Sequence, residues 1–171
     1  MGLSQRLHRR WALRGVTELG AGVQILGTPR IENFGYMQIG DNVVLNSRPV
    51  PLELCTSPDG HLFIGPDCTL GFGVSIGVLE SVRLGAGVRV GPYVMIVDSD
   101  FHDLYNRSAR PPPKPVSIGD GTWIGAKASI LRGVTIGRNA VIGVGAVVNR
   151  DVEDNGVVQG VPARAVEATH V

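Results

Sequence analysis

An aliphatic residue returns at every sixth position across the second half of the chain: Ile118, Ile124, Ile130, Ile136, Ile142 and Val148. Glycine follows four of these, at Gly119, Gly125, Gly137 and Gly143. Four residues after each aliphatic stands something small or β-branched: Thr122, Ala128, Val134, Ala140, Ala146 and Val152. A helix needs apolar residues at alternating steps of three and four. An even period suits short strands broken by turns, with the same face of each strand turned inward. Valine and isoleucine favour the extended segments, and glycine relieves the turns. No single strand of this kind buries much. Stacked coils bury a continuous aliphatic column, which is how repeat proteins gain a stability that one repeat lacks.

The period extends upstream with interruptions. It begins loosely at Leu19, Ile25, Ile31 and Met37, slips by two to Ile39, resumes at Ile64, Leu70 and Ile76, and takes an eight-residue step to Leu84, Val90 and Ile96. The two extra residues imply a bulged corner. Residues 46–61 contain Pro49, Pro51, Pro58 and Gly60 and are expected to include a loop that leaves the repeat. Residues 97–117 read VDSDFHDLYNRSARPPPKPVS; the proline run cannot continue a β-ladder, so this is a second and longer loop outside the coil. Leu3, Leu7 and Trp11 predict a short amphipathic helix over 2–14 that caps the open end of the coils. The expected organisation is an N-terminal cap over 1–18, one repeat domain over 19–153 and a tail over 154–171.

Sixteen basic and fifteen acidic residues leave a net charge of +1, without the basic footprint of a nucleic-acid binder. The two cysteines, Cys55 and Cys68, form no CxxC pair, which points to a reducing, cytoplasmic setting and to no structural zinc site. Cys68 falls on a small-residue position of the repeat and is expected in the core. No apolar run reaches membrane-spanning length, so no integral membrane segment is expected. A protein with 24 glycines and 43% hydrophobic residues suits an all-β repeat.

The phrases VSIGDGTWIGAKASILRGVTIGRNAVIGVGAVV and GVPARAV resemble the hexapeptide-repeat acyltransferases, and DSDFH resembles their sugar and polysaccharide O-acetyltransferase branch. The resemblance implies a left-handed parallel β-helix of triangular section, three hexads to a coil, so that Ile118, Ile124 and Ile130 stack under Ile136, Ile142 and Val148. Spacing alone does not provide the handedness, since ordinary parallel crossovers are right-handed. The resemblance also implies a homotrimer with each active site between two subunits, and acetyl-CoA as co-substrate in a groove along the coils. Its donor contacts match Ala126, Val144, Asn149, Arg150 and Arg164. Small residues at 126 and 144 would admit the pantetheine arm, and the arginines would meet the nucleotide phosphates. Asn149-Arg150 stands where the family often has Thr-Lys, and Val144 where alanine or serine is common.

Of the four histidines, only His102 sits among other groups suited to chemistry, with Asp98, Asp100 and Asp103 around it. By resemblance, an imidazole on the extended loop is the general base of acyl transfer. Asp98 or Asp100 would hold its tautomer, and the order of residues does not choose between them. The backbone N–H of Ala126 would meet the oxyanion. Trp123 precedes an inward aliphatic residue, should face outward, and could line the acceptor site. The expected function is therefore an acetyl-CoA-dependent O-acetyltransferase acting on a sugar or polysaccharide hydroxyl. Alternatives on the same scaffold are an N-acyltransferase of an amino sugar, a xenobiotic acetyltransferase and a non-catalytic scaffold. A γ-type carbonic anhydrase needs histidines grouped to bind zinc, and these four are scattered.

Overall fold

The computed structural model of the chain describes residues 11–100, 102–103 and 105–166. The chain winds as a series of three-strand coils. The first holds β1 (Glu18–Leu19), β2 (Gln24–Gly27) and β3 (Arg30–Asn33); the second holds β4 (Tyr36–Ile39), β5 (Val44–Ser47) and β6 (Glu53–Thr56). The third is β7 (His61–Ile64), β8 (Thr69–Leu70) and β9 (Ser75–Val78), and the fourth β10 (Ser81–Leu84), β11 (Arg89–Val90) and β12 (Met95–Val97). The long loop follows. The fifth coil is β13 (Val116–Ile118), β14 (Trp123–Ile124) and β15 (Ser129–Ile130), and the sixth β16 (Thr135–Ile136), β17 (Val141–Ile142) and β18 (Val147–Val148). A partial seventh coil contributes β19 (Val157–Gln159), on which β20 (Arg164–Ala165) folds back antiparallel.

Each strand pairs in parallel with its counterpart one coil away, which builds three walls. The first runs from β1 to β16, the second from β2 to β20 and the third from β3 to β18. The architecture is the left-handed parallel β-helix that the resemblance implies. Register follows the aliphatic period: Ile118 pairs with Ile136, Ile124 with Ile142 and Ile130 with Val148. These side chains are at most 1% exposed and belong to one continuous core that runs from Leu13 to Val158. Burying each contributes about 1.5–3 kcal/mol, which offsets the entropy of ordering strands only two to four residues long.

The corners repeat as well. Between the first and second walls, Asn42, Asp67, Gly87, Gly121, Asn139 and Asn155 all take positive φ, and each amide donates to a carbonyl one coil below. Asparagine tolerates this left-handed conformation better than other side-chain-bearing residues, which explains its recurrence at a sharp turn.

Three expectations change. Residues 46–61 are not one excursion, because β6 lies inside them in register with β3 and β9 while Leu52, Leu54 and Thr56 point into the core. The prolines sit in the turns flanking that strand, where no ladder hydrogen bond is lost. The C-terminal stretch continues the second wall through β19, with Val158 buried, instead of leaving it at 153. The eight-residue step from Ile76 to Leu84 lengthens β9 and β10 to four residues each and leaves a tight corner at Leu79–Glu80. The helix expected over 2–14 lies mostly outside the described residues; Trp11 and Ala12 are helical, and Leu13 is buried in the core. Among the described residues no helix is long and apolar enough to cross a membrane.

Candidate active site

The long loop leaves the corner between the third and first walls after Val97 and returns at Val116, so it spans 98–115. Its base is built around Asp98, which is fully buried. The Asp98 carboxylate accepts the amides of Leu79 at 2.9 Å, Glu80 at 2.7 Å and Ser81 at 2.8 Å, the turn one coil below. Its backbone carbonyl accepts the Lys114 amide at 2.8 Å and so joins the outgoing arm to the returning one. A second tie comes from the coil above, where Arg132 donates through Nε to the Asp100 carboxylate and through Nη1 to the Pro112 carbonyl. The Gly133 amide adds a tie to the Lys114 carbonyl; farther out, among the described residues, the loop bonds to itself: the Asp103 amide donates to the Ala109 carbonyl, and the Asp103 carboxylate accepts the amides of Tyr105 and Asn106.

His102 lies between the clamped base and this tip turn, and it is exposed. Its amide donates to the Asp100 carbonyl, while its imidazole has no hydrogen bond among the described residues. Among the described residues neither Asp98 nor Asp100 hydrogen-bonds the ring: the first accepts three backbone amides and the second is paired with Arg132. Both side chains instead shape the loop that presents His102. Asp103, next along the loop, is held below the usual carboxylate range by the Asn106 and Tyr105 amides, with smaller lowering contributions from Arg132 and His102.

The expected donor contacts fall in two places. Ala126 and Val144 stack at the corner between the second and third walls, where the Ala126 carbonyl accepts the Gly145 amide. Their own amides find no acceptor among the described residues. The matching amides at the first corner are capped by carboxylates, Ala86 by Asp120 and Arg138 by Asp154, each at 2.7 Å. A Cβ on Gly125 would stand 2.7 Å from the Val144 nitrogen, so only glycine leaves this approach open. The second corner therefore offers two unpaired donors in line, suited to a ligand carrying amide or thioester carbonyls. Arg150 and Arg164 line one hollow of about 240 Å³ at the C-terminal end of the prism, above Val148 and Val158. Asn149 is exposed at the end of the third wall.

Trp123 faces outward from the second wall as expected, 58% exposed, with Arg89 and Val141 as its strand neighbours. The exit of the His102 loop and the corner of Ala126 and Val144 lie at opposite edges of the third wall, and no described loop residue hydrogen-bonds to the second wall or its corner. Among the described residues no group of three or more His, Cys, Asp or Glu is placed to hold a metal ion.

The family described as bacterial transferase hexapeptide (six repeats) matches residues 115–150, the two coils that follow the loop. A Mycobacterium tuberculosis protein named "Probable acetyltransferase" is 32% identical over 161 residues, covering 90% of this chain and 50% of its own length. Residues 115–150 carry the hexapeptide repeat of these transferases. The galactoside O-acetyltransferase of Escherichia coli is 32% identical over 108 residues, which cover 62% of this chain and 53% of that protein. The chain thus spans about half the length of these two relatives. A hexapeptide-repeat acetyltransferase of Vibrio cholerae, solved with acetyl coenzyme A, superposes on all of this chain and 81% of its own with a TM-score of 0.66 at 22% identity, which shows the shared fold.

Arg132 is the site-region residue that motif reading missed. A signal for it existed: the aliphatic period places Ile130 over Ile96, and hence residue 132 over the base of the loop.

Proposed function

We propose that this protein is an acetyl-CoA-dependent O-acetyltransferase that acts on a sugar hydroxyl, with its active sites between the subunits of a homotrimer. The observation that carries the reading is the separation just described: at one edge of the third wall an exposed imidazole, and at the other a row of amides, neither with a hydrogen-bond partner among the described residues. A three-fold assembly would bring the loop of one subunit against the amide row of the next. Tyr105, 98% exposed on the tip of the loop, suits a contact with a second copy.

In this reading the neutral His102 imidazole takes the proton of the acceptor hydroxyl as its oxygen attacks the thioester carbonyl carbon. The Ala126 amide donates to the developing oxyanion. When that intermediate collapses, the carbon–sulfur bond breaks and the departing thiolate recovers the proton from the imidazolium. Acetyl-CoA supplies the activated acetyl group. The Val144 amide meets its pantetheine arm, and Asn149, Arg150 and Arg164 lie towards its nucleotide end. Trp123 lines the acceptor side. The sugar acceptor is supported by the galactoside O-acetyltransferase relative.

The test is CoA release from acetyl-CoA in the presence of a galactoside, an O-antigen oligosaccharide and an amino sugar, with each product located by NMR. Ester formation on a sugar oxygen is the expected result. Transfer only to the amine would replace this reading with N-acylation, and absence of any transfer would leave a binding scaffold.

A further inference from the structure

The reading above gives no task to Arg132, although this one side chain touches both arms of the loop. We propose that Arg132 is a positioning residue for His102, an inference that rests on the catalytic role proposed for that imidazole. Pairing of Ile96 with Ile130 puts the turn Leu131–Gly133 directly over the root of the loop. From there the guanidinium reaches the Asp100 carboxylate on the outgoing arm and the Pro112 carbonyl, 3.2 Å away, on the returning arm. The Gly133 amide adds a bond to the Lys114 carbonyl at 3.0 Å.

Exposed ion pairs usually contribute little, because they are screened and cost side-chain entropy. This one differs in geometry: the Arg132 side chain is only 24% exposed, and its planar donor fork joins two segments that would otherwise separate. The returning arm is stiffened by Pro111, Pro112, Pro113 and Pro115, so the direction of the Pro112 carbonyl is largely preset. On the outgoing arm the link to the imidazole is short, since the His102 amide donates to the Asp100 carbonyl at 2.6 Å. Movement of Asp100 therefore moves the backbone of His102. The tip turn from Asp103 to Ala109 is closed on itself and makes no described hydrogen bond to the prism, so it cannot substitute for the clasp.

A reacting group displaced by about 1 Å can lose roughly a hundredfold in rate, so the expected effect falls on turnover. Arg132→Gln and Asp100→Asn should each lower kcat by roughly 10- to 100-fold, with the acetyl-CoA KM and the thermal midpoint nearly unchanged. Arg132→Lys should recover only part of this, since an ammonium does not reproduce the fork. The double variant should be no worse than Arg132→Gln alone, because that substitution already removes the contact that Asp100→Asn removes. Amide exchange at residues 102–110 should speed up in all of them, and that readout needs no turnover. Unchanged kcat in Arg132→Gln would overturn the proposal, as would a loss additive with that of Asp100→Asn. A His102→Ala protein that keeps its activity would instead refute the catalytic reading, and the exchange data would still report whether the clasp holds the loop.

Discussion

Ile130 pairs in register with Ile96, although the whole long loop lies between them in sequence. The ladder closes over the insertion as though it were absent, because the loop leaves and re-enters at one corner and both of its ends are bonded there. Asp98 and Lys114 join the arms, and the next coil is laid on an undisturbed third wall.

Asp98 is the first target that follows. Asparagine at this position keeps the shape but turns an NH2 group toward amides that are themselves donors. Asp98→Asn should destabilise the protein by about 2–4 kcal/mol, the cost of losing charge-assisted bonds and stranding buried donors. Urea unfolding checks this, and a change below the error of the extrapolation would show that the three amides have other partners.

His102→Ala should lower turnover by roughly 10²- to 10⁴-fold, the usual contribution of a general base, while acetyl-CoA affinity stays within about twofold. Steady-state kinetics together with calorimetric titration of acetyl-CoA separates the two quantities. His61, on the first wall beside Tyr36 and Phe63, should tolerate the same change with little loss of turnover.

Arg150→Ala and Arg164→Ala together should raise the acetyl-CoA KM more than they lower kcat. A guanidinium on phosphate stabilises ground and transition states alike. Equal affinity of parent and double variant for acetyl-CoA would assign the hollow they line to another role.

A site shared between subunits can be tested by complementation. His102→Ala and Ala126→Trp should each be inactive alone, the first in the loop and the second in the donor row. Co-expressed, they form mixed trimers in which roughly a quarter of the sites pair an intact loop with an intact donor row. Recovery of activity on that scale is expected; its absence would place both halves of the site in one chain.

The two thiols should differ in reactivity. Cys68 is buried, its Sγ donates to the Gly85 carbonyl at 3.0 Å, and burial pushes its pKa up to about 11. Cys55 is exposed on the third wall. Alkylation at pH 8 followed by mass spectrometry should modify Cys55 and spare Cys68 until the protein is unfolded. Because the folded pKa of Cys68 lies above its ordinary value of 9.0, its contribution to stability is complete below pH 9 and fades as pH rises toward about 11.

Local spacing was enough for the repeat, because an inward residue every sixth position is a property of neighbours along the chain; the stacking of Ile118, Ile124 and Ile130 against Ile136, Ile142 and Val148 needed the three hexads to a coil that the resemblance implies. Trp123 was placed outward by the same alternation. The period also located the long loop, through its failure over 97–117, where the structure has the loop at 98–115. It misjudged residues 46–61, where prolines in two turns hid a strand whose Leu54 and Thr56 continue the inward alternation begun at Leu52. Handedness came from resemblance, since a period states how often the chain turns and not in which sense. The partners of Asp98, Asp100 and Arg132 lie on three successive coils. Their pairing is settled only when those coils stack, because hydrogen bonds depend on distances in space that no sequence separation encodes. An aspartate two residues from a histidine therefore read as its partner along the chain, while in the folded protein it faces an arginine from the coil above.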